Sequence, residues 1–434
     1  MIPISKIKRL GKEAFWVGAG QVLAVAGSLV GIRVLTHLLP PAIFGEVALA
    51  MTAATLMQQI LLGPCGNALM RYFAPAREDG RIDSFFQAGF RLFGEAALGV
   101  LLITALTMFL LWATGTTKWI GAVGAASLFS LLSGYNSALD GIQNAARQRV
   151  IVAWHQGLGQ WTRFAAVLPI VYLFGRSSAA ALFGYCLGAA IVAASQTLML
   201  HRSIPIHRSD VTFTLAADSQ KILKQMRAYA WPFAVWGIFG WVQFSSDRWA
   251  LQIGSTPSDV GFYAVLYQLG FGPTMLLSNV LVQLVAPILF QRVGAGSDRK
   301  SVRQTLQLNL RLFYLSLVVT VFGTIAMFVF HSQIFLLLAA PIYSKASPLL
   351  PWVGLSAGLF ASAQIATLSL LTERNSRALL RPKIVVALLA ACLYLTMVWH
   401  YRITGVVFAG LVASLVYVVW MFCLIVAKDS KDAA

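Results

Sequence analysis

Five arginines stand inside segments that are otherwise almost wholly apolar: Arg33, Arg91, Arg163, Arg248 and Arg311. A guanidinium stays charged and offers a planar fork of N–H donors, a shape that phosphate and carboxylate oxygens accept in pairs. Held at the centre of a bilayer, such a charge costs about 3 kcal/mol or more unless it faces protein or water. Arg91 and Arg311 fall at segment ends, where a long apolar stem lets the charge reach the interface. Arg33 and Arg248 lie near the opposite ends of their segments. Arg163 lies near the centre of its own, where that escape is least available.

Helical spacing gathers polar residues around these charges. Gln156, Gln160 and Arg163 follow i, i+4, i+7 and share a face. Ser133, Asn136, Asp140, Gln143 and Arg147 repeat the stripe one segment earlier. Gln21, Ser28, Arg33 and His37 occupy one half of the first segment's wheel. Gly20, Ala24, Gly27 and Gly31 share another face, small enough for a neighbouring helix to approach closely. Gln243, Asp247, Arg248 and Gln252 form a broad polar sector with Trp236 and Trp241. Two readings compete: internal hydrogen bonds that hold helices together, or a wet cavity that recognises a ligand. A cavity formed by Arg33, Arg163 and Arg248, with Gln156 and Gln160 beside them, would suit a phosphate-bearing ligand. Trp236 and Trp241 would then stack on sugar rings. Asp247 is the ion-coupling candidate, and His37 and His155 are the titratable imidazoles near these faces.

Other chemistries lack their residues. Cys65, Cys186, Cys392 and Cys423 lie in or beside apolar segments without metal-ligand spacing and read as buried small residues. No phosphate-cradling glycine loop occurs, so nucleotide-driven chemistry is not expected. No metal and no cofactor are expected. An enzyme acting on lipid-linked glycans would place paired carboxylates or Arg/His groups in a sizeable external loop. Here the external loops are short, as at His37–Ala42 and Gly254–Asp259, and Glu46 stands alone. Catalysis is therefore not expected.

The elements that position these residues are transmembrane helices. Hydrophobic residues make up 58% of the 434-residue chain and charged ones 11%, against about a quarter charged in a soluble domain. Apolar stretches of about 20 residues recur, each able to cross a hydrocarbon layer. Their runs lack period-2 alternation, which excludes a barrel. Spans are expected at 14–36, 43–62, 86–113, 119–141, 150–174, 178–200, 229–253, 260–290, 308–330, 348–371, 384–400 and 404–426. The first span follows Lys6, Lys8, Arg9 and Lys12, but is too long for a signal segment and reads as retained. Pro64, Pro169, Pro273 and Pro287 within spans allow bends.

Charge placement orients the chain. Net charge is +18, which in a soluble protein would point to nucleic acid. With the N-terminus inside, twenty-four Lys and Arg fall on cytoplasmic segments and four, Lys118, Arg176, Lys345 and Arg402, fall outside. Retention of positive charge on the cytoplasmic side accounts for this asymmetry and places both termini inside. No nucleic-acid partner is expected.

The two halves look alike. Arg33 and Gly45 are matched by Arg248 and Gly261, and Arg91-Leu-Phe by Arg311-Leu-Phe, at nearly constant offset. This predicts an all-α membrane protein of about twelve spans in two six-helix lobes related by a parallel repeat. Residues 1–201 form the first lobe, 202–227 a cytoplasmic linker, and 228–434 the second lobe.

The segment Arg33-Val-Leu-Thr-His-Leu-Leu-Pro-Pro-Ala-Ile-Phe-Gly45-Glu resembles the exit of the first span in a known family. So does Ser246-Asp247-Arg248 continuing to Asp259-Val-Gly261-Phe-Tyr263. The family is the polysaccharide transporters, the Wzx-type flippases of O-antigen and exopolysaccharide repeat units, within the multidrug/oligosaccharidyl-lipid/polysaccharide exporter superfamily. The resemblance covers essentially the whole chain. It implies that an undecaprenyl-diphosphate-linked oligosaccharide is turned from the cytoplasmic to the periplasmic leaflet of a bacterial inner membrane. It also implies a cationic inter-lobe cavity, onto which Arg33, Arg163 and Arg248 map, with membrane lipids and a glycan polymerase or chain-length regulator as partners. The chain lacks two extra helices typical of the lipid II flippase relatives. A cation-coupled multidrug antiporter of the same superfamily is the alternative, followed by a membrane glycan polymerase or ligase. An antiporter for cations should present a carboxylate-dominated cavity, whereas here interior arginines outnumber interior acids, Asp247 and Glu95 being the main candidates.

Overall fold

Long apolar runs with no alternation fold as helices because only a helix satisfies its own backbone groups without water. In the computed structural model this is the outcome: no strand occurs among the described residues, which are 4–203, 213–275, 278, 299–372 and 376–433. The helices are α1 (Ile4–Leu38), α2 (Pro41–Met57), α3 (Gly63–Glu78), α4 (Ile82–Ala113), α5 (Ile120–Ala145) and α6 (Arg149–Phe174). They continue with α7 (Ser178–Ser203), α8 (Phe213–Gly254), α9 (Pro257–Leu266), α10 (Arg299–Leu338), α11 (Leu350–Thr372) and α12 (Ser376–Ala433). Seven helical stretches among the described residues are long and apolar enough to cross a membrane. The chain is a multi-pass membrane protein.

Local chemistry explains the boundaries. Gly115 (φ 73°) and Gly175 (φ 89°) take left-handed conformations just after α4 and α6, which glycine adopts without a Cβ penalty. Thr256 caps α9, its hydroxyl accepting the Asp259 N–H at 3.2 Å with Pro257 at the first helical position. A π-helical turn, Gln58–Leu62, joins α2 to α3, and another, Tyr267–Phe271, follows α9. Helix α12 is broken at Arg402 (φ 47°, ψ −128°), which falls between the spans expected at 384–400 and 404–426. Two expectations come out differently. The 43–62 span runs on as helix to Glu78, and the 202–227 linker is helical from Phe213 onward. Residues 204–212, most of the second half of the 260–290 span, and Pro287 lie outside the described residues.

The chain divides into two compact units, one of Met1–Gly31 with Glu46–Trp241 and one of Ile32–Gly45 with Val242–Ala434. Residues 32–45 thus group with the second half of the sequence, while α8 as far as Trp241 groups with the first.

In the first unit, α6 is clasped by glycine faces from two sides. The small face of α1 lies on it, Gly20 against Ala153, Gly27 against Trp161 and Gly31 against Phe164. There the Trp161 indole donates to Leu23 O at 3.0 Å. From α7, Gly184 and Gly188 approach so closely that a methyl on either would stand 2.5 Å from Val167 Cα or Arg163 Cα. Small residues four apart permit this contact between backbones. Phe73, Phe85 and Phe86 pack edge to face at 5.7 and 5.3 Å in the core between α3 and α4.

In the second unit, α11 is the buried member and α10 leaves most of its apolar surface outward. Gly45 and Gly261 meet reciprocally. A methyl on Gly45 would run into the Pro257 carbonyl, and one on Gly261 into the Pro41 carbonyl. Of the cysteines, Cys65 and Cys186 are buried as expected. Cys392 and Cys423 are exposed, because the lipid-facing side of a span accepts a small apolar thiol as readily as the core does.

Candidate functional site

Arg163 sits in the middle of α6, where Gly188 lets α7 close against its backbone. Its guanidinium lies over the Phe129 ring at 4.8 Å and the Tyr185 ring at 5.6 Å. These π faces attract the cation without neutralising it. No carboxylate or hydrogen-bond acceptor contacts Arg163 among the described residues, and its Nε is buried without a partner. Arg163 is half-buried with only its Nε sealed off, so the cation keeps its terminal donors free for an acceptor.

Arg248 in the second unit has the opposite surroundings. Neighbouring Asp247 accepts its backbone N–H at 2.7 Å and its Nη1 at 3.3 Å, and Phe244 O takes a further bond from Nη1 at 2.8 Å. The Tyr263 hydroxyl donates to the other Asp247 oxygen at 2.8 Å. Tyr267, carried by the π-helical turn, stacks on the guanidinium at 4.0 Å. Asp247 and Arg248 are both buried. Beside them is a small cavity of about 30 Å³, lined among others by Gln243, Asp247, Tyr263, Tyr267, Ser356 and Tyr394. The pair is compensated internally, so the cavity presents hydroxyls and a shared carboxylate instead of a free cation.

Arg33 is committed elsewhere. Its Nη1 donates to Ala339 O at 2.8 Å and to Leu336 O, so it caps carbonyls at the end of α10. The same stretch of α1 is fastened further by Thr36, which accepts the Ala340 N–H at 3.0 Å, and by Leu39 O, which accepts the Tyr343 hydroxyl at 2.9 Å. Arg33 and Arg248 thus each commit Nη1 to acceptors of their own unit.

The remaining candidates spread out. Gln156 donates to Asp140 at 3.1 Å. Gln160 is half-buried near Gly27. The Trp241 indole donates to Thr52 O at 2.7 Å, while Trp236 is 42% exposed. His155 donates Nδ1–H to Ile151 O and meets Ser195 Oγ through Nε2 at 3.0 Å, and His37 is exposed. Glu95 forms an exposed ion pair with Arg227, and Glu46 accepts the Ser178 hydroxyl at 2.9 Å. Arg91 and Arg311 are exposed, as segment-end arginines should be. No cluster of three or more metal-ligating His, Cys, Asp or Glu occurs among the described residues.

Two groupings escaped the sequence. The tyrosines around Asp247 left a partial signal in Tyr263 and Tyr267, spaced i, i+4 on one face, while Tyr394 left none. The rings of Phe129 and Tyr185 come to Arg163 from α5 and α7, and no periodicity within one segment points across helices.

A family model described as "Polysaccharide biosynthesis protein" matches residues 10–293. No curated protein sequence matches significantly. Among solved structures, an inward-facing multidrug resistance MATE family transporter of the MOP superfamily shares 14% identity, covers 96% of each chain and superposes with a TM-score of 0.69. The lipid II flippase MurJ in an inward closed conformation shares 12% identity over 96% of this chain and 88% of its own, with a TM-score of 0.71. A MOP superfamily transporter from Pyrococcus furiosus shares 15% identity over 97% and 95% of the two chains, with a TM-score of 0.57. At these identities the likeness is one of fold.

Proposed function

The chain belongs to the polysaccharide biosynthesis protein family, and from that premise we propose that it is a flippase for polyprenyl-diphosphate-linked oligosaccharides in a bacterial inner membrane. Arg163 carries the reading: a half-buried guanidinium with no anionic partner among the described residues, steadied by Phe129 and Tyr185. A diphosphate head group supplies the charge it lacks, and its oxygens accept from the donors that the rings leave open. The polyprenyl tail stays in lipid while the head crosses. Transfer follows from unequal binding of the head group in two arrangements of the protein.

The proposed architecture is twelve spans in two six-helix halves related by a parallel repeat, with both termini cytoplasmic. Three observations support the repeat. Arg33 and Arg248 hold matching positions in the sequence, a π-helical turn follows α2 and α9 alike, and Gly45 and Gly261 pack on the prolines four residues before each other.

Within this reading Arg33 and Arg248 position helices, and Arg163 is the group that touches substrate. A multidrug antiporter would need a free carboxylate facing an organic cation, and of the two acids expected for that role Asp247 shares its charge with Arg248 and Glu95 with Arg227.

The test is transport by the reconstituted protein. Proteoliposomes carrying a labelled lipid-linked glycan should flip it at least tenfold more slowly with Arg163→Ala. Arg163→Lys, which keeps the charge and loses the fork, should recover part of the rate. Unchanged flipping in Arg163→Ala would remove Arg163 from the site.

A further inference from the structure

The outward surface of the first unit carries a charge pattern that the flippase reading does not use. One core takes in Leu92, Ala96 and Val100 from α4 and Leu223, Met226 and Ala230 from α8. On the exposed side of that core Arg227 Nε donates to Glu95 Oε2 at 3.0 Å, and its Nη2 donates to Oε1, so α8 is tied to α4. Towards the start of both helices Asp218 acts electrostatically on Arg81. The two helices therefore run side by side in the same sense.

Residues one turn apart on parallel helices form the rungs of a ladder. One turn before the ion pair stand Arg91 on α4 and Lys224 on α8, both exposed and neither in an ion pair among the described residues. One turn after it stand Leu98 and Trp231, 56% and 70% exposed, and Leu102 follows on α4. The seam thus passes from free cations through a compensated pair to an amphipathic ring and then to aliphatic side chains. Three cations against one carboxylate leave a surplus of two positive charges. The bias of basic residues to one side of a membrane accounts for the cations, but not for their register with a bare tryptophan and leucines.

We infer that the α4–α8 seam is a binding site for one anionic phospholipid of the surrounding bilayer. Arg91 and Lys224 hold its phosphate, and its glycerol and acyl chains lie along Trp231, Leu98 and Leu102. A glycerophospholipid is ordered in the same sequence as the seam: charged phosphate, polar ester zone, hydrocarbon. The Arg227–Glu95 pair keeps the two helices at the spacing that sets the free cations beside each other. A zwitterionic lipid offers the same phosphate and tails but brings its own ammonium, which those cations repel. Helix α4 leaves most of its apolar surface outward, so membrane phospholipid meets this face at all times. The inference goes beyond the flippase reading and uses neither Arg163 nor the rings around it, so either idea can fail alone.

The experiment is native mass spectrometry of the purified full-length chain in detergent, titrated with phosphatidylglycerol or phosphatidylcholine of matched acyl chains. Wild type should bind one phosphatidylglycerol at least tenfold more tightly than it binds phosphatidylcholine. The double variant Arg91→Gln/Lys224→Gln should lose that preference, and each single change should lose part of it. Trp231→Ala, which alters no charge, should weaken both lipids. Lys118→Gln, beyond the opposite end of α4, removes one charge elsewhere and should leave binding unchanged. All four positions are exposed, so the variants keep the core intact. Equal affinity for the two lipids overturns the inference, as does a double variant that binds phosphatidylglycerol as wild type does. A loss in Lys118→Gln as large as in Arg91→Gln overturns it too, reducing the effect to net charge. So does a seam that binds a polyprenyl diphosphate through Arg91 and Lys224 and leaves phosphatidylglycerol unbound, since its occupant would then be the transported lipid.

Discussion

Arg163, half-buried, and Arg248, buried, are the same residue in two places, and they differ in what answers the charge. Arg248 has Asp247 beside it in sequence, a backbone carbonyl one turn back and Tyr267 stacked on it. Arg163 has two aromatic rings and no acceptor among the described residues. A compensated ion pair holds helices and contributes little net attraction to an outside ligand. An uncompensated one keeps its attraction for whatever anion can reach it. Under the proposed function, counting interior arginines would overstate the substrate site, and the inventory of partners is what separates a strut from a receptor.

The harshest way to break the comparison is to make Arg248 resemble Arg163. Asp247→Ala strips the counter-ion and orphans the Tyr263 hydroxyl as well. Removing one member of a buried pair costs about 3–5 kcal/mol, so a large fall in melting temperature is expected in detergent. The double variant Asp247→Leu/Arg248→Met removes both charges and should recover most of that loss. If the single change were silent, the pair would not be structural.

Next comes the scaffold of Arg163. Gly188→Val places a side chain 2.5 Å from Arg163 Cα, and α7 must back away from α6. Overpacking of this kind costs about 1–3 kcal/mol. It should also displace Tyr185 and lower flipping while Arg163 itself is intact. Normal melting together with normal transport would show that the close approach is not needed.

Much of the fold was readable in the sequence because bilayer crossing demands one property, sustained apolarity, that each segment displays alone. Helix positions, the small face of α1 and the snorkelling ends at Arg91 and Arg311 all follow from spacing within a segment. The site was less readable because compensation is a property of neighbours in space. Nothing in residues 29–37 announces that Arg33 caps carbonyls some 300 positions later. Nothing around Asp140 predicts the bond it accepts from Gln196. The sequence does place Asp247 next to Arg248, but adjacent residues on a helix point in different directions, and their pairing depends on the Phe244 carbonyl and the tyrosines around them.

A smaller effect is expected at Arg33. Arg33→Met keeps the apolar stem and removes the bonds to Leu336 O and Ala339 O, while Thr36 and Tyr343 still fasten the same stretch. A loss of about 1 kcal/mol follows for a partly exposed hydrogen bond, read as a small drop in melting temperature. Transport slowed in proportion to stability would keep Arg33 a strut. Transport abolished with melting nearly unchanged would return it to the substrate site.

The smallest change in stability should come from Arg163→Met, and it sharpens the comparison most. A lone half-buried charge is a liability to the folded state, since desolvation opposes it and no partner repays the cost. Methionine fills similar space, keeps contact with the rings of Phe129 and Tyr185 through its thioether, and brings no charge. Melting temperature should therefore hold or rise while flipping of the lipid-linked glycan falls at least tenfold. A residue kept at the expense of stability is kept for what it binds. If Arg163→Met instead melted as early as Asp247→Ala, Arg163 would be holding α5, α6 and α7 together, and the distinction between the two arginines would vanish.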